Sequence, residues 1–383
     1  MRSPILVTGI WPPLRMDLQG LEPYGAPQID VPVRLNTNEN PFPPSPALVN
    51  AIGNAVAHTA ASLNRYPDRD AMALRGALAD YVEAESGVRF EPVEVWPANG
   101  SNEVMAHIFA AYGGTGRTAL SFTPTYSMYA QYARDSHTAY VTRPRATDFT
   151  IDGLTMRSAI TEVQPDLVVV TSPNNPTGTA MPLDVIETAC ESAPGIVVVD
   201  EAYAEFRRPG VPSATSLIDS HRNLIVTRTM SKAFALAGAR LGYALGSVDV
   251  LAGLQIVRLP YHLSSVTQIV ARTALEHSDD LLAQVEALRT ERDDLIHWLR
   301  GHEFRAPESD ANFILFGRFA DAHRVWRDLL ERGVLVRESG PEGWLRVSVG
   351  TPQDNMAFRD ALMDVVAASG MIMADGERRN PKE

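Results

Sequence analysis

The chain has 383 residues, 45% of them hydrophobic and 21% charged. This is the mix of a soluble globular protein long enough for two domains with sizeable cores. A net charge of −12 offers no general pull toward nucleic acid or an anionic membrane, and no apolar run approaches the ~18–20 residues that span a bilayer. The single cysteine, Cys190, excludes an internal disulfide, and residues 5–10 are too short an apolar stretch for a secretory leader, so the expected location is the cytoplasm.

The basic residues are unequally divided. Of 34, only Lys232 and Lys382 are lysines. Lys382 falls in the polar stretch 376–383 of a tail at 371–383 for which disorder is expected. Lys232 is therefore the only lysine in the expected folded body. Arginine stays protonated, whereas lysine can lose its proton or form a Schiff base, so a site needing a neutral amine would have to use Lys232.

In chain order, residues 1–40 are rich in proline and glycine and read as an irregular arm. Residues 47–61 have a helical pattern that Gly53 weakens. In 72–85, Leu74, Leu78, Tyr81 and Val82 recur on one helical face that Gly87 can terminate. The runs 167–171, 196–199 and 224–227 are short and rich in Val and Ile, as strands buried on both faces are. Residues 181–192 supply a crossover helix between the first two. This alternation predicts a mainly parallel α/β sheet, whose ligands collect beyond the carboxyl ends of its strands. After a long helix at 279–302, strands at 312–316, 334–337 and 344–349 mix with helices at 320–331 and 353–368, which reads as a smaller α+β domain. The expected division is an arm at 1–40, a large domain at 41–275 (with 41–65 open to sharing with the small domain), a small domain at 276–370 and the tail.

Four local signals carry chemistry. Residues 172–178, Ser-Pro-Asn-Asn-Pro-Thr-Gly, follow a buried strand and give Asn175 an amide for a ligand oxygen, although a turn-rich loop would look the same. Asp200 ends an apolar strand, with Tyr203 three positions on. Such a carboxylate is either a helix cap or the partner of a buried cation, for example a protonated pyridine nitrogen. Thr229, Ser231 and Lys232, with Arg240 eight residues later, combine hydroxyls and a guanidinium suited to a phosphate with an amine suited to a carbonyl. Residues 98–103, which include Ser101 and Asn102, form a turn before a helical pattern at 104–111, where backbone N–H groups can face an anion, as they can in any capped helix.

In this order the motifs resemble the fold-type I aminotransferases that use pyridoxal 5′-phosphate, class-II subgroup, and most closely their histidinol-phosphate branch. The resemblance spans nearly the whole chain. It includes Leu-Asn-Thr-Asn-Glu-Asn-Pro at 35–41, Arg-Tyr-Pro-Asp at 65–68, Pro-Thr-Tyr-Ser-Met-Tyr at 124–129, Pro-Tyr-His-Leu-Ser at 260–264, Asp-Ala-Asn-Phe at 310–313 and Leu-Arg-Val-Ser-Val-Gly-Thr at 345–351. It implies a large domain with a mostly parallel sheet of the seven-stranded type and a smaller α+β domain. It makes Lys232 the residue that bonds the cofactor and moves the proton. Asp200 would hold the pyridine nitrogen protonated, Tyr203 and Asn175 would bond the phenolic oxygen, and Tyr126 would stack on the ring. Ser101, Asn102, Thr229, Ser231 and Arg240 would surround the cofactor phosphate, joined by Tyr66 from the second subunit of a homodimer. Arg346 would grip the substrate anion, helped by Arg337 and Tyr24. His262 is either a substrate contact or a structural histidine, and no metal is called for.

The implied activity moves an amino group between L-histidinol phosphate and 2-oxoglutarate. An aromatic-amino-acid aminotransferase, a lyase resembling threonine-phosphate decarboxylase and a non-catalytic pyridoxal-binding regulator are the alternatives. No basic DNA-binding module is visible for the last.

Overall fold

The computed structural model describes residues 14–369. The chain enters through β1 (Val33–Arg34), α1 (Pro46–Ala60) and α2 (Met72–Ser86). Ser45 caps α1 by accepting from the Leu48 amide, and Gly87 closes α2 with φ at +73°, the left-handed geometry that favours glycine. There follow β2 (Val95–Ala98), α3 (Ser101–Tyr112), β3 (Thr118–Thr123), α4 (Met128–Asp135), β4 (Ala139–Pro144), α5 (Gly153–Val163), β5 (Leu167–Thr171) and α6 (Leu183–Ser192). The central part closes with β6 (Ile196–Asp200), β7 (Leu224–Thr229), β8 (Gly242–Gly246), α7 (Val248–Val257) and α8 (Ser265–Leu275).

These strands form a seven-stranded sheet in the order β2-β8-β7-β6-β5-β3-β4. β8 runs antiparallel to both its neighbours, and the other pairings are parallel. Ala98, Thr123, Thr171, Asp200 and Thr229 therefore lie at the same, carboxyl, edge. Strand alternation sorts the side chains between two cores. Val168, Val170, Val197, Val199 and Val226 join one with α2, α5, α6 and α8, while Leu167, Val169, Val198 and Ile225 join the other with α3, α4 and α7. A sheet covered on both faces explains why these runs read as continuously apolar. The segment 41–65 seats Phe42, Leu48 and Ile52 in the first of these cores.

The last part comprises α9 (Ser278–Gly301), β9 (Phe313–Gly317), α10 (Ala322–Glu331), β10 (Val334–Leu335), β11 (Arg337–Glu338), β12 (Trp344–Ser348) and α11 (Pro352–Ser369). One helix serves two cores. Leu281, Val285 and Leu288 of α9 pack with the large sheet, whereas Leu295 and Leu299 pack with Leu35, Ile314, Phe316, Leu345 and Phe358.

The single strand expected at 334–337 is two. β10 pairs in parallel with β1, and β11 pairs antiparallel with β12, the change of partner falling at Val336. The arm thus ends in a strand whose partner, Val334 opposite Val33, comes from near the other end of the chain. No described helix is long and apolar enough to cross a membrane.

Candidate active site

At the carboxyl edge of the sheet opens a cavity of about 870 Å³, lined by every candidate residue named from the sequence except Tyr66 and His262. Its electrostatic centre is Asp200. The strand delivers this carboxylate into the interior at 5% exposure, where the Tyr129 hydroxyl donates to Oδ2 at 2.8 Å and the Thr227 hydroxyl to Oδ1 at 3.1 Å. Burial raises its pKa, and the hydrogen bonds from Tyr129 and Thr227 oppose that rise. No cationic side chain pairs with it among the described residues. A buried carboxylate so placed is stabilised by any cationic N–H that enters the cavity.

Lys232 follows β7 by three residues, and its Nζ donates to the Thr37 carbonyl at 3.0 Å. Burial, reinforced by the Arg346 charge, lowers its pKa to about 8. The side chain is thus far closer to a neutral amine at working pH than an exposed lysine. The Tyr203 hydroxyl accepts from the amides of Asn38 at 3.1 Å and Asn175 at 3.4 Å, which leaves its own proton for an acceptor in the cavity. Asn175 also accepts from Arg346 Nη1 at 2.7 Å, and Arg346 Nη2 donates to the Asn36 carbonyl at 2.8 Å. Arg346 is 6% exposed, its guanidinium lies 5.1 Å from the centre of the Phe313 ring, and its Nε is buried without a partner. Arg337 stands directly opposite Arg346 in the β11–β12 ladder. Like charges facing across a strand pair destabilise each other unless an anion joins them.

The second anion site lies at the start of α3. The amides of Ser101 and Asn102 are in the first turn and have no intrahelical acceptor. Thr229 Oγ1 is 3.0 Å from Ser231 Oγ, which in turn is 3.5 Å from Arg240 Nη1. Two glycines make the closeness possible. A Cβ on Gly100 (φ +83°) would lie 2.7 Å from Arg240 Nη2, and one on Gly242 would meet the Ser101 amide nitrogen at 2.1 Å. Hydroxyls, free amides and a guanidinium without a carboxylate partner among the described residues make a fitting cup for a phosphate.

Tyr126 lines the cavity, and Tyr24 reaches it through a 3.3 Å bond from the Ser127 hydroxyl. Tyr66 does not line it. Its ring is 79% exposed and stacks on Tyr261 with centroids 4.4 Å apart. His262 also lies off the cavity, stacked on Trp96 with Nε2 3.0 Å from the Pro97 carbonyl, a structural position. Sequence reasoning did not assign roles to Tyr129, Thr227 or Asn38. The motif segments 35–41 and 124–129 contain two of them, and Asn38 has φ at +55°, which asparagine tolerates better than most residues.

With this geometry in hand, comparison with known proteins is informative. The family model for aminotransferase class I and II matches residues 30–362. The histidinol-phosphate aminotransferase of Thermobifida fusca is 57% identical over 351 residues, covering 92% of this chain and 95% of that one. Histidinol-phosphate aminotransferase 3 of Burkholderia lata is 56% identical, covering 93% and 96%. A histidinol-phosphate aminotransferase from Sinorhizobium meliloti, solved with pyridoxal 5′-phosphate, superposes with a TM-score of 0.82 at 23% identity over 94% of this chain and 99% of that one, a likeness of fold. The chain belongs to the class I and II aminotransferases, enzymes of fold type I.

The lowered pKa of Lys232 has a direct readout. Below pH about 8 the neutral fraction of its amine falls roughly tenfold per pH unit, and above it the fraction levels off. Reductive labelling of the cofactor-free protein with an aldehyde, followed by peptide mapping, should show Lys232 modification rising through pH 8 and then flattening. An ordinary lysine would continue to rise toward pH ~10.4. A Lys232 profile with that late rise would refute the burial argument.

Proposed function

We propose that this chain is a pyridoxal-phosphate-dependent transaminase that moves an amino group between L-histidinol phosphate and 2-oxoglutarate, giving imidazole-acetol phosphate and L-glutamate, in histidine biosynthesis. The observation that carries this reading is a cavity with a buried carboxylate that has no cationic partner among the described residues, and a lysine whose pKa is lowered to about 8, between two anion sites. The residues fit the cofactor. Asp200 suits a ring N–H⁺, the cup of Ser101, Asn102, Thr229, Ser231 and Arg240 suits its phosphate, Tyr203 and Asn175 suit its phenolic oxygen, and Tyr126 suits its ring face. Bound there, the cofactor supplies an aldehyde for amine exchange and a ring that takes up the electron pair of a broken C–H bond.

The chain's own residues do the rest. Lys232 provides the amine and carries the proton removed from the substrate carbon. Asp200 holds the ring nitrogen protonated. The paired guanidiniums of Arg346 and Arg337 accept an anion by forked, charge-assisted bonds. Such a fork takes a carboxylate from glutamate or a phosphate from histidinol phosphate, with Tyr24 at its edge. The names borne by relatives 57% and 56% identical support this substrate.

We assign residues 1–40 to the arm, 41–275 to the cofactor domain and 276–370 to the small domain, and we place the enzyme in the cytoplasm as a homodimer. The exposed Tyr66–Tyr261 stack, with Leu63, Ile256 and Leu259 of the same two chain segments at 52%, 84% and 73% exposure, supports a second copy that covers these residues and receives Tyr66 at its phosphate cup.

A substrate panel with the purified holoenzyme tests the activity. Amino transfer from histidinol phosphate should exceed that from aromatic amino acids, and carbon dioxide release should be absent. Losing one charge-assisted contact costs about 1.5–3 kcal/mol, or one to two decades in kcat/KM. Arg337→Ala should therefore impair histidinol phosphate by about that much and glutamate far less, whereas Arg346→Ala should impair both. Equal losses for Arg337→Ala on the two substrates would remove it from phosphate recognition. The shared site has its own check. Tyr66→Phe chains and Lys232→Ala chains, each impaired alone, should regain activity when mixed dimers form. No gain in verified mixed dimers, with a Tyr66→Phe defect of at least about tenfold, would return Tyr66 to its own subunit.

A further inference from the structure

Behind the carboxyl ends of β6 and β7, on the face away from the cavity, lies a buried ionic cluster that the reaction does not touch. Its centre is Arg228, fully buried at 0% exposure. Nε and Nη2 donate to Glu201 Oε2 at 3.1 and 3.0 Å, Nη1 donates to Glu85 Oε2 at 2.8 Å, and Nη2 also donates to the Ser213 hydroxyl at 3.0 Å. Glu201, 2% exposed, completes its bonding with the Ala214 amide and the Ser213 hydroxyl, both at 2.7 Å. Arg207 reaches the other oxygen of Glu85 at 2.8 Å. One guanidinium thus ties the end of β7 to the residue after β6, to α2 and to the 213–214 turn.

The sequence neighbours of this cluster are the site residues. Glu201 follows Asp200, and Arg228 lies between Thr227, which bonds Asp200, and Thr229, which lines the phosphate cup. Adjacent strand residues point to opposite faces, so the Arg228–Glu201 bond sits back to back with the Thr227–Asp200 bond. A buried ion pair is a weak source of stability, because apolar residues of similar volume often serve as well. What a planar five-donor fork adds is fixed geometry. We propose that Arg228 is a positioning residue that, by clamping β6 and β7 from behind, holds Asp200 in register with the cofactor's nitrogen.

This inference rests on the pyridoxal-phosphate reading of the site, and the experiment separates the two. The wild-type protein is first titrated with pyridoxal phosphate and followed by absorption. Failure to bind it sinks the functional reading and this inference with it. Arg228→Lys, which keeps the charge and loses the fork, is then compared with wild type, and the same change is made in an Asp200→Asn background. Arg228→Lys should keep the thermal midpoint within a few degrees, weaken cofactor binding about tenfold and lower kcat while changing KM by less than about threefold. In the Asp200→Asn background its effect on cofactor binding should shrink to about twofold or less, because interacting positions are non-additive. The same tenfold effect in both backgrounds would mark general damage and overturn the proposal, as would a Lys variant with wild-type binding and kcat. If Arg228→Lys does not fold, Glu85→Gln and Ser213→Ala, each removing one partner of the fork, go through the same cycle. A binding defect that shrinks in the Asp200→Asn background supports the clamp, and one that persists there, or no defect at all, overturns it.

Discussion

Asp200 is a carboxylate held at 5% exposure with hydrogen bonds but, among the described residues, no counter-charge. Such a group is costly to bury, and the cost is tolerated where an incoming cation removes it. The parallel sheet makes the placement unavoidable. A strand that is apolar from Ile196 to Val199 must run through the core, and the residue at its end arrives at the edge where ligands collect. The remaining site residues are arranged around that fixed point. Tyr129 and Thr227 orient the carboxylate, Tyr203 and Asn175 stand further along the cavity, and β7 delivers Thr229, Ser231 and Lys232.

The charges in the cavity divide the chemistry between its parts. On the proposed function, Arg240 and the start of α3 receive one anion, and Arg337 and Arg346 receive another. Lys232 lies near enough to Arg346 and Arg240 for them, with burial, to depress its pKa to about 8. The guanidiniums to which the proposed function gives the anions therefore add to burial in lowering the pKa of the amine. β11 and β12 contribute Arg337 and Arg346 on adjacent strands, and the residues after β1 contribute Asn36 and Asn38, which bond Arg346 and Tyr203. The site is thus assembled from both ends of the chain and its middle.

Much of this was legible in the sequence, for local reasons. Lys232 stood out because the chain has only two lysines and the other, Lys382, is next to last in the sequence, and Asp200 because a charged residue ended an apolar run. Helices 72–85 and 279–302 were readable from apolar spacing and agree closely with α2 and α9. The bonds of Asn38 to Tyr203, 165 residues apart, and of Arg228 to Glu85, 143 apart, were not legible, because side-chain pairing across such distances depends on packing. The split of 334–337 was hidden for a related reason. Its apolar residues fit one strand, but β1 and β12 offer partners on different sides of Val336. The exposed ring of Tyr66 shows that a single chain does not use it in its own cavity.

The claim on which everything else depends is that Asp200 serves a cation in the cavity rather than capping a helix. Its most direct test is Asp200→Asn in the holoenzyme, with cofactor absorption and single-turnover amino transfer measured side by side. The amide preserves shape but cannot balance a protonated ring nitrogen. The variant should therefore retain cofactor with weakened affinity and lose turnover by about two or more orders of magnitude, which corresponds to roughly 3 kcal/mol or more of lost transition-state stabilisation. Turnover within a few fold of wild type, with the cofactor fully bound, would contradict the account.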